Sequence, residues 1–211
     1  MIKEDVIKNL RRNNFIVEVV KDGKEAVAYV KRTVPRMSLC SSGGSMTLNE
    51  TGIMDLLRIG EYDFIDRYAP GIDKDKAFHD AFFSDYYFAS ANAITEHGEV
   101  YEVDATGNRV SAIIYGPKHV ILVVGRNKIV KNLKEAIERL NTVATPLNAK
   151  RLSSESYCKD HGKCMFPEMD EEHLMCPGKC RDPLCSTAVI MSKQRVKDRI
   201  TILLVDEDLG Y

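Results

Sequence analysis

Two uninterrupted apolar runs constrain this chain more than any other feature: His119-Val120-Ile121-Leu122-Val123-Val124 and Ile200-Thr201-Ile202-Leu203-Leu204-Val205. Neither alternates apolar with polar residues, so each reads as a strand covered on both faces. Strands of that kind belong to parallel sheets held between layers of helix, and the earlier segments supply those helices. Ile2, Val6, Ile7 and Leu10 form the stripe of an opening amphipathic helix. Phe15-Ile16-Val17-Glu18-Val19-Val20 reads as a strand, and Asp22-Gly23-Lys24-Glu25 as a capping box that starts a helix through about Arg32. Met37-Ser38-Leu39-Cys40 is a second strand, followed by Ser41-Ser42-Gly43-Gly44-Ser45 and a helix carrying Ile53, Met54, Leu56 and Leu57. Strands over 62–65 and 86–89 flank a helix near 74–83.

Farther on, Val100, Val103, Val110 and Ile113-Ile114 lie in two β-rich stretches joined by Ala105-Thr106-Gly107-Asn108, which predicts a β-hairpin. Asn132-Leu133-Lys134-Glu135 is another capping box and opens a helix to about Val143; after Pro146 periodicity fades. The expected fold class is therefore α/β, with a mostly parallel central sheet flanked by helices. A single domain over 1–211 is expected, with 158–195 as a Cys-rich C-terminal insertion or lobe.

Charge narrows the function classes. Thirty Lys and Arg against 31 Asp and Glu leave a net charge of −1, so nothing global attracts nucleic acid or an anionic membrane. The N-terminus has no apolar signal core, and the longest apolar runs are too short to cross a bilayer. The expectation is a cytoplasmic protein in a reducing compartment, where clustered cysteines serve more often as metal ligands or redox groups than as disulfides.

Four segments carry candidate chemistry. Gly43, Gly44, Ser45 and Thr47 lie between a predicted strand and a helix, where glycines permit close backbone approach and free N–H groups favour an anion. The plainer alternative is an ordinary tight turn, and the segment is neither a Walker A loop nor a dinucleotide fingerprint. Asn92, Thr95, Glu96 and Gly98 cluster after another strand; Glu96 could act as base or nucleophile, or simply be solvated. Arg126, Asn127 and Lys128 directly follow the most buried strand, where basic residues could reach a carboxylate or phosphate. Five of the six cysteines, Cys158, Cys164, Cys176, Cys180 and Cys185, lie close together, with spacings that match neither C-x2-C pairs nor the ferredoxin run. They are a candidate set for zinc or an iron–sulfur cluster, with unligated thiols as the alternative. Cys40 stands apart, before the glycine loop, as a cleft-bordering or simply buried thiol.

These stretches in this order resemble the lactate-utilisation (LUD) domain family. The likeness rests on Gly43-Gly44-Ser45-Met46-Thr47 with Glu50-Thr51-Gly52, on residues 90–99, on Gly107-Asn108-Arg109-Val110 with Tyr115-Gly116-Pro117-Lys118, and on Gly125-Arg126-Asn127-Lys128-Ile129-Val130. Ala136, Arg139, Pro146, Asn148-Ala149-Lys150-Arg151 and Leu209-Gly210-Tyr211 continue it. The resemblance implies a fold similar to sugar-isomerase and CoA-transferase-like proteins, and a place in cytosolic redox metabolism of L-lactate or a similar 2-hydroxy acid. It also implies an iron–sulfur partner protein; a small anionic metabolite at the glycine loop, a phosphate-containing or CoA-like ligand and a homodimer are further expectations. A transferase-like enzyme with Glu50 or Glu96 as nucleophile, and a non-catalytic regulatory or assembly subunit, are the alternative readings.

Overall fold

The segment Ile200–Val205 pairs with a parallel neighbour on each edge, and every residue in it is buried. Around it, the computed structural model describes residues 1–165 and 179–211. The first half runs α1 (Glu4–Arg12), β1 (Ile16–Val20), α2 (Gly23–Thr33), β2 (Leu39–Ser42), α3 (Met46–Glu50), α4 (Ile53–Arg58), β3 (Asp63–Ile65), α5 (Lys74–Asp80) and β4 (Tyr86–Ala89). There follow β5 (Ala93–Thr95), β6 (Val100–Asp104), α6 (Asn108–Ile114), β7 (His119–Gly125), β8 (Ile129–Val130), α7 (Leu133–Arg139), α8 (Thr145–Leu152), α9 (Tyr157–His161), β9 (Thr187–Met191) and β10 (Ile200–Val205).

Among the described residues, six strands form a central sheet in the order β1-β10-β7-β4-β2-β3, and all its pairings are parallel. The two apolar runs occupy neighbouring inner positions in it, as strands buried on both faces must. Side chains alternate as the period of two requires. Val120, Leu122 and Val124 join Val6 and Leu10 of α1 and Ile113 of α6. Ile121 and Val123 join Ala26 and Val30 of α2 and Ile53 and Leu57 of α4 on the other face. A second sheet, β8-β5-β6-β9, packs Ala93, Tyr101 and Val103 against Ala136, Ile137 and Leu140.

The capping boxes close as their sequences suggest, one residue wider. Asp22 Oδ1 accepts from the Glu25 N–H at 2.9 Å, and Glu25 Oε2 accepts from the Lys21 N–H at 2.8 Å. Asn132, Glu135 and Lys131 repeat the arrangement at 3.1 and 2.9 Å.

Two local expectations give way. The residues 105–108 do not turn a hairpin: Gly107, at φ 87°, leads into helix α6. Asp104 accepts from the N–H groups of Ala105, Arg109 and Val110 at 2.8, 2.8 and 3.2 Å, so the turn is held as a helix entry. The hairpin of this region is instead β5–β6, whose turn includes Gly98 at φ 83°. Helical structure also persists past Pro146. A π-helical segment, Leu140–Ala144, joins α7 to α8 and leaves Pro146 in the first turn of α8; in the turn before it, the Asn141 carbonyl accepts from the Cys164 N–H at 2.8 Å instead. The Cys-rich stretch likewise has structure of its own, since β9 pairs antiparallel with β6.

Candidate functional site

A parallel sheet delivers the chain to its carboxyl edge after every strand, and ligand sites of such sheets lie there. Here β2 delivers residues 43–47, β4 delivers Ser90 and Asn92, β7 delivers residues 126–128, and β10 delivers Leu209, Gly210 and Tyr211. Together with α5, α8 and the start of α6 they enclose a cavity of about 390 Å³.

Lys128 is the residue on which these ends converge. The turn Arg126–Lys128 is 3-10 helix, whose three residues per turn send successive side chains in three directions. Arg126 turns outward to Asp208 (2.9 Å) and Asp206 (3.7 Å). Asn127 takes hold of the tail: its Oδ1 accepts from the Leu209 N–H at 3.1 Å, and its Nδ2 donates to the Gly210 carbonyl at 3.0 Å. Lys128 turns inward, 3% exposed, and donates from Nζ to Thr47 Oγ1 at 2.8 Å and Ser90 Oγ at 3.0 Å. No carboxylate lies within ion-pair distance of it among the described residues. Burial, with Arg139 nearby, pulls its pKa down to about 7, against the pull of Glu102.

Beneath Lys128 sits a buried ion pair. Arg109 pairs with Glu102 and also donates to the carbonyls of Ser90 (3.1 Å) and Val103 (2.6 Å) and to Asn92 Oδ1 (3.0 Å). Asn92 Oδ1 accepts a second hydrogen from the Val103 N–H at 2.8 Å. Burial pushes the Glu102 carboxyl upward against the opposing pull of Arg109, and its Oε1 has no hydrogen-bond partner. Arg139 donates to the carbonyls of Asn92 (2.8 Å) and Asn127 (3.2 Å), tying the ends of β4 and β7 together.

The cavity lining is strongly basic. Among the described residues, Arg67, Lys74, Arg109, Lys128 and Arg151 face it against one acid, Asp104, which the N–H groups at the start of α6 already engage. Arg67 stacks over Phe78 (4.6 Å) and Tyr68 (5.1 Å). Arg151 donates to the Tyr211 hydroxyl and to Asn148 Oδ1, both at 2.7 Å. Met46, Leu140, Ala144 and Leu184 give the cavity an apolar side.

The structure sorts the residues expected from sequence. Gly44, Ser45, Asn92 and Lys128 line the cavity, and Thr47 touches Lys128. Gly43 serves by absence of a side chain, because Arg109 and the Tyr87 hydroxyl occupy the space where a Cβ would sit. Ser45 caps α3 by accepting from the Leu48 N–H at 3.3 Å. Asn127 and Glu50 hold the tail, Glu50 Oε2 accepting from the Gly210 N–H at 2.6 Å. Thr95, Glu96 and Gly98 belong elsewhere. Thr95 bonds Glu99, Glu96 pairs with Lys3 at 2.6 Å, and Gly98 packs its turn on α1. Neither Glu50 nor Glu96 lines the cavity. Arg67, Lys74 and Tyr211 were not singled out from sequence as site residues, and only α5 and the tail after β10 reveal why they matter.

The thiols gather beside this site. Cys158, Cys164, Cys180 and Cys185 line a small second pocket that shares Thr145 and Leu184 with the first. Cys176 lies outside the described residues. As placed, the described residues include no group of three or more His, Cys, Asp or Glu arranged to hold a metal ion. Cys40 is wholly buried in the core, so it does not border the cavity.

The sheet and its carboxyl-edge cavity place the molecule among α/β proteins of parallel-sheet type. Within that class, the sequence pattern of the LUD domain matches residues 3–205, and the chain belongs to the LUD domain family. Its fold is similar to that of a crystallised DUF162 family protein from Deinococcus radiodurans. The two share 15% identity over 95% of this chain and 93% of that one, with a TM-score of 0.50. No curated protein sequence matches the chain. Among the described residues, no helix is long and apolar enough to cross a membrane.

Proposed function

We propose that the cavity binds a small anionic metabolite, a 2-hydroxy acid such as L-lactate or its 2-oxo counterpart, and that the chain takes part in lactate utilisation through this site. One observation carries the reading: Arg67, Lys74 and Arg151 face the cavity without an acidic partner among the described residues. Cations lining a concave, partly apolar pocket are well placed to receive a carboxylate, and Arg offers the planar fork that matches one. The family is the one associated with lactate utilisation, which makes a hydroxy or oxo acid the natural member of the anion class. The hydroxyl of Ser90 and the amine of Lys128 then lie on the side of the polar carbon next to the carboxylate, while Leu140, Ala144 and Leu184 face its alkyl end.

Calorimetric titration of the full chain with L-lactate, pyruvate and inorganic phosphate tests this. Saturable binding of a hydroxy or oxo acid, weakened about tenfold or more in Arg151→Ala, is the expected result. Equal affinity of wild type and Arg151→Ala for every acid, or no binding at all, overturns it. The transferase alternative needs Glu50 or Glu96 in the cavity, and neither lines it.

A further inference from the structure

We propose that Lys128 is a carbonyl-trapping nucleophile whose amine condenses reversibly with a 2-oxo acid held in the cavity. This deepens the reading above and rests on it. Three observations point the same way. Lys128 lines the cavity and is only 3% exposed, so its amine is largely withdrawn from water at the edge of the candidate ligand site. It has no carboxylate partner among the described residues, so it is not held as the cationic half of an ion pair. Its two partners are hydroxyls whose own hydrogens are directed onward. Ser90 Oγ donates to Thr47 Oγ1 at 3.4 Å, and Thr47 Oγ1 donates to the Leu209 carbonyl at 3.2 Å.

That last arrangement matters most. Both hydroxyls present lone pairs to Nζ and take two N–H hydrogens from it. An uncharged amine has only two hydrogens, so its remaining tetrahedral position is the lone pair. An ammonium would carry a third hydrogen with no hydrogen-bond acceptor among the described residues. The site is therefore built for the nucleophilic form, and burial, which draws the amine toward neutrality near pH 7, acts in the same sense.

The condensation balances within the site. The Nζ lone pair forms a bond to C2 of the oxo acid as the carbonyl electrons move to oxygen. One hydrogen passes from nitrogen to that oxygen through the adjacent hydroxyls, giving a carbinolamine. The C2–O bond then breaks, the oxygen leaves as water with the second amine hydrogen, and a C2=Nζ imine remains. No oxidant or reductant is consumed, and hydrolysis reverses every step. The carboxylate, held by the cavity arginines, fixes C2 near the amine; a 2-hydroxy acid fills the same place without reacting.

The test is trapping with pyruvate and cyanoborohydride, which reduces an imine to a stable secondary amine, followed by proteolysis and mass spectrometry. The expected result is one reduced pyruvate adduct on the Lys128 peptide, at least about tenfold above any exposed lysine, suppressed by excess L-lactate and absent from Lys128→Arg. Should Lys128→Arg fail to fold, site mapping and lactate protection in the wild type decide the matter alone. Adducts spread evenly over surface lysines, or none, overturn the proposal. Calorimetric pyruvate binding without an adduct removes the imine and leaves the anion site standing; absence of both removes both.

Discussion

Arg109 occupies the room that a side chain on Gly43 would need: a Cβ there would lie 2.8 Å from both Cγ and Cδ of the arginine. The glycine after β2 is thus a packing requirement of the ion pair below the cavity. Gly43→Ala should displace Arg109 and destabilise the fold by about 1–3 kcal/mol, the usual cost of overpacking. Urea unfolding measures it, and an unchanged midpoint would show that Arg109 can move aside freely.

Lys128 should make stability rise with pH above neutrality. Its pKa is pulled from 10.5 down to about 7 on folding. Between those values the unfolded chain holds a proton that the folded chain does not, so unfolding is favoured by lower pH in that window. The penalty is present in full below pH 7 and fades as pH climbs toward 10.5. Glu102 and Glu50 oppose the shift, while Arg139 and Arg109 reinforce it. Lys128→Met should therefore be more stable than wild type at pH 7, by on the order of a few kcal/mol, and melt at a higher temperature. The two should converge near pH 10. Parallel melting curves across pH 6 to 10 would sink the idea.

The Glu102–Arg109 pair is almost fully withdrawn from water, with side chains 1% and 11% exposed. Removing one partner strands the other, so Arg109→Leu should cost about 3–5 kcal/mol. Adding Glu102→Leu to that variant should recover part of the loss, because no buried carboxylate is then left alone. A double-mutant cycle by denaturant unfolding checks the coupling, and strict additivity of the two changes would contradict it.

Cys40 should be silent toward thiol reagents in the native protein. It is completely buried, and burial beside Asp85 and Asp63 pushes its thiol up to about 12. At pH 8 it is protonated as well as inaccessible. Ellman's reagent should count the same number of native thiols in wild type and Cys40→Ser, and one fewer in the variant only after denaturation.

What was legible in the sequence follows from the range of the forces involved. The near-continuous apolar runs identified β7 and β10 because strands covered on both faces admit few polar residues, and Asp22 and Asn132 announced their helices because a cap acts within one turn. The stretch around Gly107 misled because Val110, Ile113 and Ile114 favour strand locally, while Asp104 binds three N–H groups and sets a helix there. Lys128 was visible as one of three adjacent polar residues after a buried strand, but nothing local distinguishes it from Arg126. The direction of each side chain is set by the 3-10 turn, and the burial of Lys128 by Thr47 and Ser90, which arrive from other strands. Glu96 shows the converse: a carboxylate after a strand looks the same in sequence whether it turns into a cavity or, as here, outward to Lys3.

The position of β10 bears on how the molecule comes into being. Ile16 of β1 has Thr201 of β10 as its register partner, and the other edge of β10 closes on β7. During synthesis β1 and β7 must wait, with apolar edges and faces uncovered, until residues 200–205 leave the ribosome. The central sheet and the tail that roofs Lys128 are completed in the same late event, so a nascent chain has neither a finished core nor a finished site. Such long-range closure is slow to form, and it leaves the growing polypeptide dependent on protection from its neighbours until residues 200–205 have emerged.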